Sequence, residues 1–349
     1  MSSGRRSRLR VAAVQMKFAG TIAGNLAKIE KALRVAVRRG ADVVLFPECA
    51  TTGYACDFGK LVPKDVHDAL AKIGVWAAEL RVNVLVGSPM FEGRKLRNGL
   101  LVFDRRGRLT HTYAKIHLTP TDRRTFALGD AISLFTVDGI PATAIICHER
   151  RYPELVRLAV MAGARILFHP NAGLDPLTVS RRKRGGRDGI VARAFENAIF
   201  YVFANSVGPQ GGGKWSAGDS KIVAPDCRFL KLADNADEAV IVADLDLTEA
   251  TGKYAEEALS APRFLSSAWK ALVGRVRRRA AENRLPTTLV EGPPKPKPGR
   301  RRENSETPGS AHSTGKANKV TLQGATSRLS PGRAEDSRMR TRGASSGSL

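Results

Sequence analysis

The chain has 349 residues, of which 42% are hydrophobic, so it is long enough to bury a large core in one large domain or two ordinary ones. Its four cysteines are sparse and form no CxxC pair, which argues against a disulfide scaffold and a tetrahedral zinc site. No run of 18 apolar residues is present, so no membrane span is predicted. The formal net charge is +24, and half of it lies in residues 270–349, with 18 Lys/Arg against six Asp/Glu.

Strand-like and helix-like segments alternate from residue 11 to about residue 250, which predicts an α/β or α+β protein built in layers. Two hairpins, 96–115 and 135–147, favour a mixed sheet over a purely parallel one. In chain order, the other predicted elements are strand 11–16, helix 25–37, strand 42–47, helix 63–80, strand 82–86, helix 154–162, strand 165–169, helix 177–198, and strands 200–205, 219–224 and 239–245.

The C-terminal quarter has a different composition. Residues 254–284 are rich in helix-forming residues and end in an arginine cluster. From residue 286 onward the chain consists mainly of Pro, Gly, Ser, Arg and Lys, which predicts a disordered basic tail. This divides the chain into a basic extension (1–8), a layered domain (9–250), a helical extension (251–285) and the tail (286–349). The tail is either a solvated segment or a tether for nucleic acid or a membrane.

Cys147 ends an apolar, β-branched run and is followed at once by charged residues. This pattern predicts a buried strand that delivers a thiol to its C-terminal end, where a turn opens into a helix. Backbone N–H groups at such a place favour the thiolate form. A buried structural cysteine is the alternative interpretation.

Two more polar residues stand where apolar strands give way to loops. Glu48 follows Phe46-Pro47, and Lys115 lies in Tyr113-Ala114-Lys115-Ile116. Because strand ends commonly line the site of layered α/β proteins, we predict that both meet Cys147. The carboxylate would then act as a base, the thiol as a nucleophile and the ammonium as a stabiliser of an oxyanion. Taken singly, Glu48 is equally compatible with a helix cap, and Lys115 with a solvated hairpin.

These segments resemble the signatures of the nitrilase superfamily, the carbon–nitrogen hydrolases. Residues 46–54, 113–118 and 147–154 are similar to its glutamate, lysine and cysteine signatures, in the same order. The resemblance covers about residues 9–250 and implies a four-layer αββα sandwich. It also implies Glu48 as general base, Lys115 and the backbone N–H of His148 as oxyanion donors, and Cys147 as the acylated residue. Such enzymes use no metal or organic cofactor, and they pair into homodimers or larger homo-oligomers.

The chain departs from the family pattern at one catalytic position. The family commonly has a second glutamate after the lysine signature, and the matching residue here is Asp122. The aspartate side chain is one methylene shorter and reaches about 1.5 Å less far. Either the backbone moves inward or the site is weaker, because misplacement by about 1 Å costs on the order of a hundredfold in rate. A loop or helix-cap aspartate without a catalytic part is the alternative.

Arg150 and Arg151 follow the nucleophile at a spacing similar to that in N-carbamoyl-amino-acid amidohydrolases. In that branch the arginine pair holds the substrate carboxylate, although a structural ion pair with Glu149 or Glu154 is an alternative. Asn171 is expected to line the same pocket beyond the next strand. The pattern favours an amide or carbamoyl substrate over a nitrile.

Three other functions stay open at this point: nitrile hydrolysis, transfer of the acyl group to an amine, and binding without catalysis on the same scaffold. The sparse cysteines fit a reducing cytoplasm. The predicted partners are therefore a small amide or carbamoyl substrate and further copies of the chain, with no membrane and with nucleic acid only through the tail.

Overall fold

The computed structural model describes residues 7–183, 189 and 191–282. Strands and helices alternate along this part of the chain, as the sequence pattern predicts. The strands are β1 (Arg8–Gln15), β2 (Val43–Leu45), β3 (Asn83–Glu92), β4 (Lys95–Phe103), β5 (Leu109–Ala114), β6 (Phe135–Val137), β7 (Ile140–Ala144), β8 (Ile166–Asn171), β9 (Asp175–Pro176), β10 (Phe200–Asn205), β11 (Val207–Gly211), β12 (Lys214–Ala217), β13 (Lys221–Val223), β14 (Phe229–Leu232) and β15 (Ala239–Asp246). The helices are α1 (Ile22–Arg38), α2 (Pro63–Leu80), α3 (Pro153–Met161), α4 (Leu177–Arg182), α5 (Ala192–Phe195), α6 (Lys253–Ala258) and α7 (Arg263–Glu282).

Two six-stranded mixed sheets form the centre of the fold. The first has the strand order β15-β1-β2-β3-β4-β5, and the second has the order β14-β13-β10-β8-β7-β6. Both predicted hairpins are present, as the antiparallel pairs β4–β5 and β6–β7. Parallel pairs such as β1–β2 and β7–β8 lie beside them, which confirms the mixed character of the sheets.

The alternation of side chains along each strand produces the layers. In β1, Val11 and Ala13 face the second sheet and join one core, whereas Ala12 and Val14 face α1 and α2 and join another. On the outer side of the second sheet, α3 and α7 bury a third core that includes Val273. The result is a four-layer αββα sandwich.

The helical extension packs against the helix that follows the nucleophile. Val273 and Val276 of α7 are buried in the outer core. Arg277 donates from its guanidinium to the carbonyl oxygens of Met161 and Ala162, at 3.4 and 3.3 Å. These carbonyls end α3, where they have no partner within the helix, so Arg277 acts as a side-chain cap. No helix in residues 7–183 and 191–282 is both long and apolar enough to cross a bilayer.

The structure differs from the sequence prediction in several elements, among them strand β14, which was not predicted. The predicted helix 177–198 is not continuous, because α4 ends at Arg182 and α5 begins only at Ala192. Gly185, Gly186 and Gly189 fall inside that range, and each glycine disfavours a helix by about 1 kcal/mol. A small third sheet of β9, β11 and β12 was not predicted. The predicted disorder of residues 286–349 lies outside the described residues.

Candidate active site

Glu48 lies in the turn that follows β2, and its side chain is fully buried. Its Oε1 accepts hydrogen bonds from the Tyr54 hydroxyl at 2.7 Å, from Asn98 Nδ2 at 2.8 Å and from Lys115 Nζ at 2.8 Å. Its Oε2 accepts a hydrogen bond from the backbone N–H of Ala172 at 3.0 Å. The carboxylate is therefore fixed from four sides, which is not the environment of a helix cap.

Lys115 lies just beyond β5 and is 1% exposed, so it is not a solvated hairpin residue. Its Nζ donates to Glu48 Oε1 and to Asp122 Oδ2, each at 2.8 Å. Burial alone would lower the pKa of Lys115, but the neighbouring anionic groups, Glu48 first, raise it well above the usual value. The side chain is thus an ammonium held between two carboxylates.

Asp122 reaches the lysine although its side chain is short. It begins a 3-10 helix (Asp122–Arg124) and is 5% exposed. Thr119 binds the residue at two points: its Oγ1 accepts from Asp122 N at 3.0 Å, and its backbone N–H donates to Asp122 Oδ2 at 3.3 Å. This turn places the Asp122 carboxylate within hydrogen-bond distance of Lys115 and so compensates for the shorter side chain.

Cys147 begins a 3-10 helix (Cys147–Arg151), and Ile145 and Ile146 separate it from the end of β7 in the second sheet. Its φ of +51° is in the left-handed region, which is rare for a residue with a Cβ and is typical of sites held by their surroundings. The Cys147 carbonyl accepts from His169 Nε2 at 3.1 Å, and Sγ points to the Ala172 carbonyl oxygen at 3.9 Å. Ala172 therefore contacts both the thiol and the carboxylate of Glu48.

The thiol is not biased toward the thiolate, contrary to the prediction. Burial, followed by the charge of Glu48, raises the pKa of Cys147 to about 12, and Lys115 and Arg150 oppose this only in part. The resting residue is therefore a thiol at neutral pH. A nucleophile in this state needs a base to remove its proton during the reaction.

A cavity of about 340 Å³ joins these groups. Glu48, Lys115, Asp122 and Cys147 all line it. The predicted substrate-binding residues line the same cavity: His148, Arg150, Arg151 and Asn171. The structure thus brings all eight sequence-predicted site residues to one cavity.

Neither arginine forms an ion pair with Glu149 or Glu154, the two acids that the alternative interpretation named. Among residues 7–183, 189 and 191–282, no carboxylate lies within salt-bridge distance of Arg150 or Arg151. Glu149 is fully buried and accepts hydrogen bonds from other groups. Arg150 is partly buried and Arg151 is exposed, so both guanidinium groups are available to an anionic ligand in the cavity.

His148 and Asn171 both line the cavity next to the thiol of Cys147. The His148 ring packs edge-on against Tyr152, at 5.7 Å between centroids, and burial followed by the nearby cations lowers its pKa. Asn171, at the end of β8, donates from Nδ2 to Asn205 Oδ1 at 2.8 Å. The hydrogen bond of Cys147 Sγ goes to the Ala172 carbonyl and to neither of these side chains.

The sequence did not single out four groups that shape the site. Tyr54 and Asn98 donate to Glu48, Ala172 links Glu48 with Cys147, and His169 holds the Cys147 carbonyl. Burial, as the largest cause, lowers the pKa of His169 well below its usual value, so the ring is neutral. Its Nε2 donates to the carbonyl, and its Nδ1 accepts from the Tyr201 hydroxyl at 2.7 Å. Only Tyr54 had a signal, because it falls inside the glutamate signature.

No cluster of three or more His, Cys, Asp or Glu side chains in the described part of the chain is arranged to hold a metal ion. A fixed carboxylate, a buried ammonium and a thiol are the groups that acyl transfer through a covalent intermediate requires.

Comparison with known proteins agrees with this chemistry. The family model for carbon–nitrogen hydrolases matches residues 10–253. A probable nitrilase from Schizosaccharomyces pombe is 30% identical over 217 residues, which are 60% of this chain and 77% of that protein. Omega-amidase NIT2 from Danio rerio is 26% identical, over 69% of this chain and 89% of that protein. A 2-oxoglutaramate amidase from Bacillus subtilis is 28% identical, over 60% and 80%.

Solved structures give the same result for the fold. The amidase from Nesterenkonia sp. AN1, as a double mutant in complex with acrylamide, superposes with a TM-score of 0.65 at 24% identity. The match covers 77% of this chain and all of that chain. The protein has the nitrilase fold, and it belongs to the carbon–nitrogen hydrolase family. It is an amidase-like hydrolase that acts on carbon–nitrogen bonds other than peptide bonds.

Proposed function

We propose that the protein hydrolyses a small linear amide or N-carbamoyl compound through a thioester on Cys147. The observation that carries this proposal is the position of Glu48. One of its oxygens holds Lys115, and the other holds Ala172, whose carbonyl contacts the thiol. Glu48 thus contacts Lys115 directly and is linked to Cys147 through Ala172, and all three side chains line one cavity.

In the first half of the reaction, Glu48 takes the proton of Cys147 as the sulfur attacks the carbonyl carbon. This role agrees with the raised pKa of the thiol, which leaves a proton to be removed. Lys115 and the backbone N–H of His148 stabilise the oxyanion. The C–N bond then breaks, the proton moves from Glu48 to the leaving nitrogen, and ammonia or an amine departs.

In the second half, water attacks the thioester while Glu48 takes one of its protons. The C–S bond breaks, the proton returns to sulfur, and the acid is released. Asp122 contributes by holding Lys115, since its Oδ2 accepts a hydrogen bond from Nζ at 2.8 Å. The same acyl-enzyme would give a transferase if an amine replaced water.

We propose further that the substrate carries a carboxylate. The support is the pair of guanidinium groups, Arg150 and Arg151, which line the cavity without a carboxylate partner among the described residues. Guanidinium binds carboxylate in a bidentate manner. Two relatives are named as an omega-amidase and a 2-oxoglutaramate amidase, and the latter name denotes an amide that bears a carboxylate.

The test is ammonia release from paired substrates that differ only in a carboxylate, including ω-amides, N-carbamoyl amino acids and a nitrile. We expect Arg150→Gln and Arg151→Gln to lower kcat/KM for the carboxylates by about tenfold or more and to leave neutral amides within threefold. Lys60→Gln, an exposed site away from the cavity, is the control. Equal losses on charged and neutral amides would contradict the carboxylate proposal, and preference for the nitrile would replace the amide.

Assembly, location and tail binding are separate proposals from the sequence and the resemblance. We expect a homodimer or larger homo-oligomer, which light scattering would measure. We expect a cytoplasmic enzyme, and we propose that residues 286–349 bind nucleic acid in a salt-dependent manner. Binding that is unchanged after deletion of those residues would contradict the last proposal.

A further inference from the structure

Glu149 is a buried carboxylate whose four hydrogen-bond donors come from two different segments of the chain. Its Oε1 accepts from the backbone N–H groups of Ile116 at 2.6 Å and His117 at 3.1 Å. Its Oε2 accepts from the backbone N–H of Ile146 at 2.7 Å and from the Tyr113 hydroxyl at 2.8 Å. An ionised carboxylate has about four acceptor sites, so all of them are filled.

The two segments are those that carry Lys115 and Cys147. Tyr113, Ile116 and His117 flank Lys115 within two residues, and Ile146 immediately precedes Cys147. The two segments lie in different sheets, since β5 ends one sheet and β7 lies in the other. Glu149 therefore spans the interface between the sheets at the point where the site is built.

The backbone conformation of Cys147 also has to be held by neighbouring groups. Cys147 has a φ of +51°, a conformation that costs on the order of 1–3 kcal/mol and persists only when neighbouring groups enforce it. Glu149 Oε2 holds the residue before Cys147, and His169 Nε2 holds the Cys147 carbonyl. The strained residue is thus fixed on both of its sides.

We infer that Glu149 is a positioning residue that sets the spacing between Lys115 and Cys147 by clamping their segments together. Its carboxylate does not line the cavity and takes no proton from the substrate. The inference deepens the proposed function and rests on it, because it assigns no new chemistry. It requires Glu149 to affect turnover more than stability.

The test compares Glu149→Gln and Tyr113→Phe with the wild-type protein for ammonia release and thermal unfolding. Glu149→Gln places an amide N–H₂ group against backbone N–H donors, so the two segments should move apart. A displacement of about 1 Å would lower kcat by about a hundredfold, and we expect KM to change less than threefold. Tyr113→Phe removes a single hydroxyl and keeps the ring, and we expect kcat to fall by about threefold to tenfold. If Glu149→Gln does not fold, the kcat of Tyr113→Phe alone tests the positioning role of Glu149.

Two controls separate positioning from general stability. Glu154→Gln changes the exposed acid five residues further on and should leave kcat unchanged. Leu33→Ala opens a space under α1, in the core between the first sheet and its helices and outside the lining of the active-site cavity. It should lower the melting temperature with kcat within twofold. The inference would be overturned if kcat fell only in proportion to the melting temperature across all four variants. It would also be overturned if both Tyr113→Phe and Glu149→Gln kept kcat within twofold of the wild-type value.

Cys147→Ala in the same assay distinguishes the two levels of the argument. An active alanine variant would refute the proposed function itself. An inactive alanine variant, together with a fully active Tyr113→Phe, would refute only the positioning role of Glu149.

Discussion

Asp122→Asn tests whether the short acid at the second carboxylate position contributes to the reaction. The side chain keeps its size, but it loses the charge that faces Lys115 Nζ at 2.8 Å. Glu48 still binds the ammonium, so the lysine stays buried with one anionic partner where it had two. The substitution therefore isolates the contribution of one charge-assisted hydrogen bond.

The expected magnitude follows from that single contact. A hydrogen bond to a charged group contributes about 1.5–3 kcal/mol, and about 1.4 kcal/mol corresponds to a factor of ten in rate. We therefore expect kcat/KM for ammonia release to fall by about 10- to 100-fold. Asp122→Glu restores the residue that the family commonly has, yet it should also lower activity, because the extra methylene would overpack a side chain that is only 5% exposed.

The control for both variants is Asp226→Asn, which removes an exposed carboxylate far from the cavity. Its kcat/KM should equal that of the wild-type protein. If Asp122→Asn keeps its activity within threefold while the protein remains folded by circular dichroism, Asp122 is only a structural cap. If Asp122→Glu is more active than the wild-type protein, the argument that Thr119 and the 3-10 turn replace the missing methylene is wrong.

Two further predictions concern protonation. Glu48→Gln should lower turnover by at least a hundredfold but speed the alkylation of Cys147 by iodoacetamide at pH 9, because burial and then the Glu48 charge raise the pKa of that thiol. Alkylation that slows in the variant would contradict this cause. Burial lowers the pKa of His111 to about 4, so the unfolded chain binds the proton first as the pH falls below about 6.5. The free energy of unfolding in urea should therefore drop between pH 6.5 and 4, by up to about 3 kcal/mol, and His111→Gln should reduce that drop; identical slopes would contradict it.

Much of the fold could be predicted because its signals are local. The apolar run before Cys147 and the turn residues of both hairpins lie within single short segments, and the structure has strands and turns there. The break between α4 and α5 was missed because helical spacing outweighed the glycine pair at 185–186 in the prediction. The third sheet was missed because β9 has two residues and β12 has four, which is too short for a clear alternation.

Site residues could be predicted where the chemistry requires a particular side chain. Residues that act through their backbone, or that reach the site through the strand register, could not. Glu48, Lys115 and Cys147 are polar interruptions of apolar strands, and the cavity joins them. Asn98 reaches Glu48 only because the pairing of β3 with β4 places it there, and Ala172 acts through its N–H and carbonyl. The protonation state of the Cys147 thiol was predicted wrongly. Burial of the thiol and the nearby Glu48 carboxylate raise its pKa, and both depend on the tertiary structure.

The most direct test of the central claim is the mass of the intact protein after acid quenching during turnover of an amide substrate. We predict the addition of one acyl group per chain, located by peptide mapping to the peptide that contains Cys147 and absent in Cys147→Ala, which should also release no ammonia. Steady ammonia release from Cys147→Ala, or an acyl group found on another residue, would contradict the account.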